Sequence, residues 1–168
     1  MSNTKKAGRR ERLLARRRPT FDYQLAVEDD TAAVAELAAA KESLELARFR
    51  EDDAAEQAVA EAEERLEKAR AAVAACYEPV PLVALEPKAF EALRAKPEHA
   101  PREGEDEKWN AETFPRACFL ASVDTADLSA DEWAGFIDSN LSAGEKESLF
   151  LAAVGLNARW PSGSIPND

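Results

Sequence analysis

Glu28–Tyr77 reads EDDTAAVAELAAAKESLELARFREDDAAEQAVAEAEERLEKARAAVAACY, fifty residues with neither glycine nor proline. Alanine, leucine, glutamate, lysine and arginine dominate it, the residues that lose least on entering a helix. Two apolar seams run through it. Val34, Leu37 and Leu44 stand at heptad-like spacing, with Lys41 interrupting. Val59, Ala62, Leu66, Ala69, Val73 and Cys76 step 3-4-3-4-3. The seams are out of phase, because extending the first places Arg48 and Glu51 on the buried line. The break near Arg48–Asp53 predicts two helices, about 30–49 and 54–76, folded as an antiparallel hairpin. The alternative is one continuous helix of about 70 Å at 1.5 Å per residue. Asp53 followed by Glu56 fits a variant capping box for the second helix.

The flanks suit a hairpin. In Phe21–Val27 the residues Phe21, Tyr23, Leu25 and Val27 share one face of a half-buried strand. Pro79–Leu85 reads as a second strand returning beside the first, with Pro79 and Pro81 confining it to an edge or to its start. Pro87 opens a short helix over Lys88–Ala95, with Phe90 and Leu93 inward and Pro97 beyond its end. Residues 97–108 are polar and read as an exposed linker. Three short helices follow, at about Glu112–Ala121, from Ser129 and from Ser142. The last two begin with Ser-x-x-Glu capping boxes, Ser129 with Glu132 and Ser142 with Glu145. The expected fold is mainly α: an N-terminal strand, a helical hairpin and a returning strand, followed by a small bundle of short helices. The expected organisation is a disordered basic arm (1–20), the strand–hairpin–strand unit (21–86), a C-terminal helical region (87–157) and a flexible tail (158–168).

Charge divides the 168-residue chain. The net charge is −11, yet residues 1–18 carry eight basic side chains against Glu11, which leaves −18 on the remainder. An acidic body repels nucleic-acid phosphates, and only the arm could touch a phosphate backbone or an acidic protein surface. No stretch is long and apolar enough for a membrane span, and the basic start does not run into an apolar segment as a secretory signal does. The expected setting is the cytoplasm, where Cys76 and Cys118 serve as small buried hydrophobes.

The chain lacks the ingredients of catalysis. His99 is the sole histidine, no glycine-rich loop follows a strand, and the carboxylates sit mostly off the seams beside Lys or Arg, as in Glu64–Lys68. Asp29–Asp30 and Asp52–Asp53 stand at helix starts, where acids cap backbone N–H groups. No catalytic, cofactor-binding or metal-ligating residue is expected, and no cofactor. Aromatic residues instead cluster between positions 109 and 150. Trp109, Phe114, Phe119, Trp133, Phe136 and Phe150 either fill a thin core or leave an apolar patch for a partner, and they are the candidate partner-binding residues.

Residues 79–157 carry a further pattern. Leu82–Leu85, Lys88–Leu93, the Pro-rich stretch Pro97–Pro101, Trp109–Ser122 (WNAETFPRACFLAS), Leu128–Trp133 (LSADEW), Leu141–Glu145 (LSAGE) and Leu149–Asn157 (LFLAAVGLN) follow one another in order. This arrangement resembles the tail assembly chaperones of siphophages, notably those of actinobacterial hosts. Cys118–Phe119–Leu120 replaces a plainer Leu-Leu-Ala run, and Ser122 stands where the family pattern has Cys. The resemblance implies a non-enzymatic, helical protein of the host cytoplasm. Such a protein binds the tape measure protein, keeps it soluble while tail-tube subunits polymerise around it, and is absent from the mature virion. It also implies contact with tail tube protein, which longer frameshifted forms in the family recruit. Self-association is open. The rival classes are a structural tail or head-tail connector subunit, and a nucleic-acid-binding regulator using the basic arm.

Overall fold

The computed structural model describes residues 8–103 and 108–158. The chain is mainly helical, with a two-stranded antiparallel sheet. It divides into two compact units, one formed by 24–80 and the other by the segments on either side.

In the first unit, Thr31–Arg48 (α2) and Ala55–Ala75 (α3) form the hairpin. Its core is built largely from alanine: Ala40, Leu44 and Ala47 of α2 meet Ala62, Leu66 and Ala69 of α3, with Leu37, Ala58 and Val59 packed at the margin. Small side chains let two helix backbones approach closely. The α3 seam is the expected one, with Val73 half-buried at its end. The α2 seam is corrected. Val34 is exposed, and Ala40 and Ala47 complete the stripe instead, because the 3-4 steps run through Leu37, Ala40, Leu44 and Ala47. Arg65 spans the two helices, donating to both carboxylate oxygens of Glu36 at 2.7 and 3.1 Å.

The turn is made differently from the Asp53–Glu56 expectation. Asp52 accepts the Ala54 N–H at 3.1 Å and receives Arg50 at 2.7 Å, so a local Asx turn reverses the chain and Asp53 caps nothing. Before α2, Asp29 accepts from the N–H and hydroxyl of Thr31 at 3.0 and 2.6 Å. Asp30 accepts the Tyr77 hydroxyl, which fixes the start of α2 to the second residue past α3 and pushes the Tyr77 phenol pKa up.

The strands are Thr20–Ala26 (β1) and Tyr77–Val83 (β2). Their register runs from the Ala84 N–H donating to Pro19 O, to the Val27 N–H donating to Cys76 O, each at 2.9 Å. Pairing begins at the residue that caps α3, so β2 starts two residues before the expected Pro79. Even-numbered residues of β2 bond toward β1. Pro79 and Pro81 therefore turn their missing N–H groups to the other side, where Pro81 needs only its carbonyl to accept the Asp124 N–H at 2.9 Å. Tyr23 and Leu25 follow the expected alternation, whereas Phe21 and Val27 are exposed.

In the second unit, Pro87–Arg94 (α4), Phe114–Ser122 (α5), Ala130–Asn140 (α6) and Ala143–Asn157 (α7) form the bundle. Both serine boxes are made. The Ser129 and Ser142 N–H groups each donate to the glutamate three residues on, at 2.8 Å. The glutamate N–H groups return to the serine hydroxyls at 3.3 and 3.4 Å. Within the stretch expected as a basic arm, Arg9–Leu14 (α1) are six helical residues opened by the Gly8 N–H donating to Glu11 at 2.9 Å. The expected tail lies, beyond Ala158, outside the described residues.

Candidate binding groove

The stretch read as an exposed linker contains a buried clasp. Pro97–His99 make one 3-10 turn, and His99 is only 6% exposed. The Thr113 hydroxyl donates to Glu98 O at 2.6 Å, a bond that uses its single proton. His99 Nδ1, 3.0 Å from the same oxygen, must therefore carry the hydrogen and donate it. That polarity is the reverse of a base activating a hydroxyl nucleophile. The Asn110 N–H donates to His99 O at 2.8 Å, and the Asn110 side chain accepts the Glu112 and Thr113 N–H groups at 2.9 and 3.2 Å. The hydrophobic signal misses His99 because a histidine in a polar run reads as solvated.

This clasp sets Trp109 at the mouth of α5. Phe114, fully buried, lies with its ring centroid 5.6 Å from Phe90, 5.8 Å from His99 and 5.1 Å from Trp109. A second cluster centres on Phe119, also fully buried, 5.7 Å from Trp133 and 5.9 Å from Phe150. Phe136 meets Trp133 edge-on at 5.8 Å. The candidate aromatics thus separate. Phe114 and Phe119 are core and present nothing to a partner. Trp133 is buried, with its indole N–H donating to Asp124 O at 3.4 Å. Phe136 is half-buried on Trp133. Trp109 and Phe150, both half-buried, face one groove.

That groove holds about 660 Å³ and is lined by Lys108, Trp109, Ala111, Pro115, Glu147, Phe150 and Leu151. Its floor is apolar, and its rim carries one charge of each sign. Leu151 is 55% exposed. The candidate aromatic set does not include it, although the sequence carries a signal for it. Leu149, Phe150 and Leu151 are consecutive, and residues 100° apart on a helix cannot all face the same core. Leu149 takes the core, Phe150 straddles, and Leu151 is left outside. Such a surface suits the apolar face of another helix.

Neither cysteine lines the groove. Cys118 is fully buried and receives the Asn157 amide at 3.5 Å, and burial pushes its thiol pKa up to about 11. Among the described residues no group of three metal-ligating side chains comes together, and no helix is long and apolar enough to cross a membrane. Compared with protein-family models, curated proteins and solved structures, the chain matches none of them.

Proposed function

We propose that the chain is a tail assembly chaperone of a long-tailed bacteriophage. In this reading it binds the tape measure protein without turnover, holds it in the host cytoplasm and leaves before the virion matures. The groove carries the proposal. Two separate stretches of the family resemblance, Trp109–Ser122 and Leu149–Asn157, contribute its apolar lining through Trp109, Pro115, Phe150 and Leu151. A long helical client presents apolar side chains at every turn, and an aromatic-walled groove with an exposed leucine fits one such stripe. The acidic body adds mutual repulsion between coated clients, which keeps them apart.

The test is co-expression with the tape measure protein followed by pull-down, paired with circular dichroism of each variant. Leu151→Asp and Phe150→Ala are expected to stay helical and to lose most of the client. Substitution of the half-buried Phe136, outside the groove, should retain it. Helical groove variants that still capture the client at the wild-type level would sink the proposal.

A further inference from the structure

The arm helix α1 is difficult to explain as an isolated element. Six residues make fewer than two turns, too few for a helix to persist in water alone. It buries none of its own residues, and Leu13 and Leu14 are 66% and 72% exposed. Residues 9–18 carry six arginines against Glu11, and among the described residues none of Arg9, Arg10, Arg12, Arg16 and Arg17 is in an ion pair. On the helix, Leu13 lies one turn from Arg9 and Arg10. The arm is therefore a short apolar ridge edged with unneutralised positive charge.

The tip of the hairpin has the opposite character. Phe49 is 81% exposed and Leu46, one turn before it, 64%. Glu42 precedes Leu46 by four residues and continues the same face. Residues 42–56 hold six acidic and two basic side chains. Both bases are already satisfied locally, Arg48 by Glu45 and Arg50 by Asp52. The remaining acids, Glu42, Glu51, Asp53 and Glu56, stand in the same tip segment as these two large exposed apolar side chains.

We propose that the arm of one copy docks on the hairpin tip of a second copy. Leu13 and Leu14 cover Leu46 and Phe49, and the arginines face the tip acids. Charge complementarity selects this occupant over nucleic acid, because a phosphate backbone leaves the two leucines and Phe49 in water. Opposite charges would steer the encounter, and the apolar contact would hold it.

Sedimentation equilibrium of the full chain at low and high salt tests this. Self-association is expected at low ionic strength and should weaken about tenfold or more at high salt, where surface charges are screened. Leu13→Asp with Leu14→Asp, and separately Leu46→Asp with Phe49→Asp, should each weaken it about tenfold or more. All four residues are exposed, so folding should persist by circular dichroism. Mixing the two variants should restore a one-to-one complex, since each retains one intact surface. As an independent arm, Arg9→Glu with Arg10→Glu should abolish association, and a partner carrying Glu51→Arg with Asp53→Arg should recover it. A chain that stays monomeric at low salt, or an oligomer indifferent to these substitutions, overturns the proposal. So does a mixture of the two double variants that forms no complex under conditions where the wild type associates.

Discussion

Asn157 and Ser122, 35 residues apart, are joined by an amide-to-hydroxyl hydrogen bond of 2.9 Å that ties the end of α7 to the end of α5. The same amide nitrogen donates to Ala153 O at 2.8 Å, and the amide oxygen accepts the Leu85 N–H at 2.7 Å. A backbone N–H can only donate and a carbonyl can only accept, so the orientation of the amide is fixed by its partners. Asn157→Leu leaves the buried Ser122 hydroxyl and the Leu85 N–H without this partner. The expected cost is about 1–3 kcal/mol, read from the midpoint of urea unfolding at unchanged slope.

The hairpin core predicts a larger loss. Leu66 is buried against an alanine-rich surface that has little side-chain volume with which to refill a void. Leu66→Ala should cost about 2–5 kcal/mol by equilibrium denaturation. Spin labels at positions 34 and 73 should lie well under the roughly 58 Å that a straight helix would place between them. A label separation near that length would overturn the hairpin.

The caps predict an acid limb. Hydrogen bonds from Ser129 and Ser142 hold the Glu132 and Glu145 carboxyls below their ordinary value of 4.5, and Arg65 does the same for Glu36. A depressed folded-state pKa means that the folded protein binds the proton more weakly than the unfolded chain. These contributions are fully present above about pH 4.5 and are lost as pH falls through the lowered values. Glu132→Gln with Glu145→Gln should flatten that limb, measured as unfolding midpoint against pH between about 5 and 2.

Neither thiol should react in the folded protein. Cys118 is fully buried with its pKa raised, and Cys76 is buried and donates to Ala72 O at 3.4 Å. Iodoacetamide at about pH 8 should label both only on unfolding, because the thiolate is the reactive form. Rapid native-state labelling of Cys118 would show that the α5–α7 packing opens.

The elements legible in the sequence are those whose signal is local. The capping boxes declare themselves within four residues, and the Val59–Cys76 seam reports its buried face through spacing alone. Pro87 at the first turn of α4 is equally readable. What escaped depends on contacts distant along the chain or on competition between neighbours. His99 is buried by Thr113 and Phe114, and Trp109 meets a groove wall 41 residues away at Phe150. Asp52 outcompetes Asp53 for the turn because Arg50 stands two residues before it. Val34 fits a heptad step, yet it is exposed, because the small alanines at 40 and 47 put the packed stripe on the neighbouring line.

The serine box that opens α7 also fixes that helix in phase. Leu149, Ala153 and Val154 face the core, Phe150 and Leu151 face the groove, and Asn157 reaches Ser122, all counted from one anchored first turn. One residue inserted between Glu145 and Leu149 would rotate every later side chain by about 100°. Phe150 would leave the groove and Asn157 its clasp in the same step. The segment should therefore accept changes of side chain but not changes of length, because the groove and the α5–α7 clasp share a single angular reference.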